Sequence, residues 1–193
     1  MTREYAGNRA PREIFRSIEQ ARSFLGHMLD SLPMTRTVWM TGGTGYIGRP
    51  LIEELTKRGT EVVALVREQS VSRLPPNCQP VIGDPLDHAT FAAKIPRDCT
   101  FVQLVGVPHP SPAKAKQFRE IDLLSVRESA AAASAARVAH FVYLSVPQPA
   151  PVMKDYIAVR AEGEAMIRAS GIPATILRPW YVLVAVRTNS CDT

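Results

Sequence analysis

TVWMTGGTGYIG, residues Thr37 to Gly48, is the stretch from which the rest of the chain can be read. Val38, Trp39 and Met40 form a short apolar run that suits a buried strand. Gly42, Gly45 and Gly48 follow at even spacing, and an amphipathic stretch from Tyr46 to Arg58 comes next. A strand that runs through a glycine turn into a helix is a phosphate-binding device. The turn lets backbone N–H groups approach a pyrophosphate, and the helix N-terminus favours its negative charge. Gly42 is expected to take a backbone angle that a Cβ would block. Gly45 leaves room for phosphates, and Gly48 lets the helix sit close to the strand. Thr44, Tyr46 and Ile47 lie between the glycines and join them as candidate cofactor-binding residues.

Downstream, strand and helix signals alternate. Leu51, Ile52 and Leu55 give the first helix its buried stripe, and Gly59 stops it. EVVALV, from Glu61 to Val66, is a second strand with Arg67 directly after it. A polar connection leads to a short third strand at Pro80 to Ile82, closed by Gly83, Asp84 and Pro85. Asp87 is placed to cap a helix from about His88 to Ile95. TFVQLV, from Thr100 to Val105, is the fourth strand, ending at Gly106. A long helix is predicted over Ala113 to Arg137, with a second half of almost only Ala and Ser. Such small side chains permit close packing on the sheet, or a dimer seam. AHFVYL, from Ala139 to Leu144, is a fifth strand ending at Ser145. A helix follows from Lys154 to Ser170, then a sixth strand, ATIL, at Ala174 to Leu177.

Strands that are apolar throughout, separated by helices, belong to a parallel sheet covered on both faces. The expected fold is α/β, a doubly wound Rossmann fold with strand order 3-2-1-4-5-6. Upstream, Ile14, Phe15, Ile18, Phe24, Leu25 and Met28 recur at helical spacing. Residues 1–33 are therefore read as an N-terminal helical extension, 34–186 as the nucleotide-binding domain and 187–193 as a disordered tail.

The chain has 193 residues and a formal net charge of +5. Its basic residues are scattered among acids, with no basic run interleaved with aromatics, which argues against a nucleic-acid partner. Three cysteines without metal spacing and four separated histidines suggest no metal site and a reducing compartment. No apolar stretch is long enough to span a membrane, and no secretory signal is recognisable. The expected location is cytoplasmic.

In such a sheet, ligands bind outside the carboxyl ends of the strands, where the strand order reverses. Arg67 stands about 20 positions beyond the last glycine, where an acidic residue would hold the ribose 2′-OH of NAD and an Arg accommodates a 2′-phosphate. NADP is thus the expected cofactor, with NAD as the alternative, since Glu68 is adjacent. Asp84, beside Pro85, either accepts a hydrogen bond from an adenine amino group or simply closes a turn. Val105 and Gly106 end the fourth strand on the same side.

TGGTGYIG, Arg67, GDPLD at Gly83 to Asp87, YLSV at Tyr143 to Val146, Tyr156 before a helix, and ILRP at Ile176 to Pro179 occur in one order. This set resembles the extended and atypical short-chain dehydrogenase/reductases, close to their NAD(P)H-binding epimerase-like and nitrogen-metabolite-regulator-like members. The resemblance covers about Thr35 to Val182. It implies a dinucleotide cofactor and redox chemistry in active members, which use a Tyr-x-x-x-Lys pair and a Ser. On that resemblance Tyr156 is the acid/base, Ser145 orients the substrate oxygen, and Arg160 stands where the Lys would be. A guanidinium keeps the charge but not the geometry of an ammonium. The chain also stops at Thr193, short of the further strand and substrate region usual in the family. Two readings result. One is an NADP-dependent oxidoreductase or epimerase-like enzyme acting on an unidentified small molecule, with a homodimer among the partners considered. The other is a non-catalytic dinucleotide-binding or redox-sensing module.

Overall fold

The computed structural model describes residues 37–148 and 153–179. The helical extension at 1–33, the tail at 187–193 and the upper end of the 34–186 domain lie outside the described residues. Within them, six parallel strands form one sheet: β1 (Thr37–Thr41), β2 (Glu61–Val66), β3 (Gln79–Ile82), β4 (Thr100–Gln103), β5 (His140–Leu144) and β6 (Ala174–Leu177). Their order is β3-β2-β1-β4-β5-β6, the doubly wound arrangement expected from the alternation.

The register stacks large side chains at the centre. Trp39 lies opposite Val63 on one side and Phe101 on the other, and Phe101 lies opposite Phe141. Phe101 and Phe141 stack with ring centroids 5.0 Å apart. Trp39, Phe101 and Phe141 are wholly buried. Large aromatic area removed from water in one place is the main stabilisation of this core. Burial on both faces holds for β1, β4 and β5 and nearly all of β2. The edge strands differ: β3 is mostly exposed and β6 largely half-buried.

Helix α1 (Gly48–Lys57) packs through Ile52 and Leu55. The single helix expected from His88 to Ile95 is instead two 3₁₀ turns, His88–Thr90 and Ala92–Lys94. Asp87 does cap the first, accepting from the Ala89 N–H at 3.0 Å. Between the turns Phe91 leaves helical geometry, with φ −141°, and its buried ring stacks on Trp39 at 6.3 Å. Burial of that ring outweighs the weak helix preference of a short segment.

The long helical region begins with a 3₁₀ turn at Pro112–Lys114, passes through a π-helix at Phe118–Leu123, and continues as α2 (Leu124–Ala136). Arg137, with φ 55°, ends it in the left-handed conformation. Ala132 and Ala133 sit in the central core with Val138 and Phe141. For Ala132 and Ala133 the close approach that small residues permit is with the sheet. Helix α3 (Lys154–Ala169) buries Val159, Arg160, Gly163, Glu164 and Ile167. Among the described residues, no helix is long and apolar enough to cross a membrane.

Candidate functional site

The glycine turn joins β1 to α1 at the centre of the sheet. Gly42 has φ 75°, and a Cβ there would lie 2.8 Å from the Leu104 carbonyl carbon. Any other residue is thus excluded by both angle and space. The Gly45 N–H closes the turn on the Gly42 carbonyl at 3.0 Å. A Cβ on Gly48 would come within 2.4 Å of that same carbonyl oxygen. Gly48 therefore lets the helix start press against the turn itself, rather than against the strand. No side chain caps α1, and its first turn holds no acidic residue. The positive end of the helix dipole is left for an anion. Gly45 and Tyr46 are exposed beside it, and Thr44 and Ile47 are half-buried.

Because all six strands are parallel, their carboxyl ends share one edge. Arg67 is exposed at the end of β2, and its guanidinium enters no ion pair among the described residues. Asp84 follows β3, and its Oδ1 accepts the Leu86 N–H at 2.9 Å. One carboxylate oxygen is therefore spent on the turn at Pro85. Val105 and Gly106, both half-buried, leave the end of β4.

Tyr156 and Arg160 meet on α3, and Ser145 follows the end of β5, where Arg160 reaches the Leu144 carbonyl and Ser145 itself reaches Glu164. Phe118 holds the Tyr156 ring, with centroids 4.9 Å apart. Pro112, Phe118, Met153, Lys154, Asp155 and Tyr156 line a small hollow of about 80 Å³. The Arg160 guanidinium carbon lies 5.0 Å from the centre of the Tyr156 ring. Arg160 thus meets the Tyr156 ring, whereas its hydrogen bonds go elsewhere: to Asp122 at 2.6 Å, the Leu144 carbonyl at 3.1 Å and the Tyr143 hydroxyl at 3.3 Å. Burial pushes the Tyr143 phenol up, partly offset by Arg160. Burial also opposes the charge on Arg160, but Tyr143, Tyr156 and Asp122 outweigh it and hold the guanidinium ionised. Ser145 is buried, and its hydroxyl donates to Glu164 at 2.6 Å.

Three groups organise this site that the motifs did not single out. Asp122, wholly buried, accepts from Arg160 through Oδ1 and from the Val107 N–H at 3.0 Å through Oδ2. Burial raises its carboxyl, against the pull of Arg160 and the Val107 amide. Glu164 gathers the ends of β5 and β6. It accepts from Ser145, Gln148, Arg168 and, through both oxygens, Arg178 of the ILRP motif. Burial opposes its charge, but these donors prevail and hold the carboxyl at about 2. The third is a buried relay. Thr41 donates to Gln103, Gln103 donates to Ser125 at 2.9 Å, and Ser125 donates to the Asp122 carbonyl at 2.9 Å. The available signal was spacing: Asp122 stands four residues after buried Phe118, and Arg160 and Glu164 stand four apart on the stripe of Val159, Gly163 and Ile167. Charges on a buried stripe need partners. A separate surface cluster, Asp87, His88 and Glu128, brings three potential ligand atoms within 4.8 Å of one another. There the His88 ring is paired with Glu128.

A family profile described as NAD(P)H-binding matches residues 42–188. The chain is 25% identical over 166 residues to a 4-hydroxy-2-methyl-3-oxo-4-farnesyl-3,4-dihydroquinoline-1-oxide ketoreductase of Stigmatella aurantiaca, covering 75% of this chain and 49% of that one. It is 31% identical over 163 residues to a chloroplastic divinyl chlorophyllide a 8-vinyl-reductase of Oryza sativa subsp. indica, covering 76% and 40%. The chain thus spans about half or less of the length of these curated relatives. In fold it is similar to a short-chain dehydrogenase/reductase superfamily protein of Agrobacterium tumefaciens with bound NAD. That likeness has a TM-score of 0.59 and 22% identity, and covers 74% of this chain and 48% of that one. The glycine turn, the strand order and the matched span lead to one conclusion: the chain belongs to the NAD(P)H-binding family of Rossmann-fold proteins.

Proposed function

We propose that this chain binds NADP(H) at the carboxyl ends of β1, β2 and β4 and serves hydride transfer between the nicotinamide and a small carbonyl or alcohol substrate beside Tyr156. The reading is carried by the turn from Gly42 to Gly48, with its left-handed Gly42 and the bare N-terminus of α1. A pyrophosphate would be held there by Tyr46, Ile47 and Gly48 backbone groups, with Gly45, whose N–H closes the turn on Gly42, leaving room for it. Arg67, exposed and without an ion-pair partner among the described residues, suits a 2′-phosphate. The second Asp84 oxygen suits an adenine amino group, and Val105 and Gly106 flank the nicotinamide half. Bound nicotinamide supplies or accepts the hydride, and Tyr156 gives or takes the proton at the substrate oxygen. The ketoreductase activity named for one relative supports this reaction class, and the vinyl-reductase activity named for another supports reduction more generally.

A second reading is a dinucleotide-binding module without turnover. Arg160 and Ser145 favour it. The cation expected to serve Tyr156 is committed to Asp122, and the Ser145 proton is committed to Glu164. Such a Ser can accept from an alcohol but has no proton left for a carbonyl.

Titration with NADPH and NADH, followed by nicotinamide fluorescence, tests both. Binding of NADPH at least about tenfold tighter than NADH, lost in Arg67→Ala, is expected for a charge-assisted phosphate contact. A carbonyl screen with Tyr156→Phe as control then separates enzyme from module. Failure to bind either dinucleotide at millimolar concentration would sink both readings.

A further inference from the structure

Asp122 ties together two elements that the sheet places apart. Its carboxylate reaches the Val107 amide in the loop after β4 and the Arg160 guanidinium on α3. The side chains of both charged residues are almost sealed from water, at 0% and 8% exposure. Gly106 closes over the pair: a Cβ there would stand 2.5 Å from Arg160 Nη2 and 3.0 Å from Asp122 Oδ1. The π-helix at Phe118–Leu123 carries both Phe118 and Asp122 into the interior. Such a turn is rare and is frequent at functional positions. On the far side, Arg160 holds the Leu144 carbonyl at the end of β5 and lies against the Tyr143 and Tyr156 rings. Its Nε is buried and has no hydrogen-bond partner among the described residues. A buried ion pair with an orphaned donor is a poor device for stability alone.

We propose that Asp122 is a positioning residue for dinucleotide binding: with Arg160 it forms a clamp that fixes the Gly106–Val107 backbone against the Tyr156 side of the cleft. The clamp rests on the reading of this edge as a dinucleotide site. It assigns Arg160 to positioning, through the Tyr156 ring and the loop, and not to the Tyr156 hydroxyl. Loop and ring then move together, so loss of either partner loosens the nicotinamide side and leaves the Arg67 end untouched.

Two readouts test it in the full chain. In ligand-free protein, Asp122→Asn should speed exchange of the Val107 amide hydrogen about tenfold or more, with β1 amides unchanged as the internal reference. The same variant should weaken NADPH and NADH by equal factors of about ten, since the 2′-phosphate end is distant. Arg160→Met should act in the same direction, and Asp122→Asn/Arg160→Met together should be no worse than the weaker binder of the two single variants. If Asp122→Asn does not fold, Gly106→Ala breaks the clamp from the loop side with both charges in place, and the same two shifts are expected. Uniform acceleration of all amides, or dinucleotide affinities within twofold of wild type, would reduce the pair to a fold-stabilising contact and overturn the proposal. Wild-type protein that binds neither dinucleotide, with Val107 still responding, would refute the dinucleotide role and leave only the loop contact. Wild-type protein that binds normally, with Val107 indifferent to Asp122→Asn, would refute the clamp and leave the dinucleotide reading intact.

Discussion

Replacing Glu164 with Gln removes one negative charge from the junction of β5, β6 and α3 and little else. The carboxylate is 2% exposed, whereas Arg168 and Arg178 are 56% and 42% exposed. A carboxyl moved from 4.5 to about 2 corresponds to about 3 kcal/mol of stabilisation at neutral pH. The arginines can rehydrate when the charge is lost, and Gln still accepts from Ser145. The expected loss for Glu164→Gln is therefore smaller, about 2 kcal/mol. The sign with pH is fixed. The folded carboxyl lies below its unfolded value, so its contribution is complete above about pH 5 and fades as pH falls through 4.5 toward 2. Urea unfolding of wild type and Glu164→Gln between pH 7 and pH 3 reads this directly. The stability difference should shrink steadily on acidification. A difference that is the same at both ends, or below about 0.5 kcal/mol at pH 7, would refute the assignment of Glu164 as an ionised anchor.

Three further outcomes are expected. Cys78 and Cys99 are buried, and burial pushes both thiols up to about 11. With Cys191→Ser in the background, a thiol reagent at pH 8 should label them only as fast as the protein unfolds, and fast labelling in native buffer would contradict this. Gly48→Ala should abolish dinucleotide binding and destabilise by about 2 kcal/mol, since its Cβ meets the Gly42 carbonyl at 2.4 Å. Gly59→Ala is the control: its φ of 77° makes it costly, but nothing lies within 4 Å, so binding should survive. Thr41→Val should cost about 1–3 kcal/mol in chemical unfolding by leaving Gln103 Oε1 buried without its donor. A change below about 0.5 kcal/mol would mean the relay contributes nothing.

The turn was legible because each of its demands is local. Gly42 must take φ 75°, and only one residue type does so freely in that space. The strands were legible because β1 and β5, buried on both faces, carry the apolar runs Val38–Met40 and Phe141–Leu144, and β4 carries Phe101 and Val102 at its centre. The His88–Ile95 helix was misread because nothing local says that the Phe91 ring will leave helical geometry to stack on Trp39. Asp122 and Glu164 stayed hidden for a related reason. Apart from Arg168, one turn on from Glu164, their side-chain donors stand 38 and 14–19 positions away, at Arg160, Arg178, Gln148 and Ser145, and the π-helix that carries Asp122 inward has no composition of its own.

The sequence by itself determined the strand order, the glycine turn and the edge at which the carboxyl ends of the strands gather, since those follow from periodicity, backbone angles and chain handedness. Only the tertiary structure decided what the charged residues on that edge do. A guanidinium four residues after a tyrosine in sequence is free to serve it, but one that folding buries beside a carboxylate must pair there first, because an unpaired charge out of water costs more than any alternative contact returns.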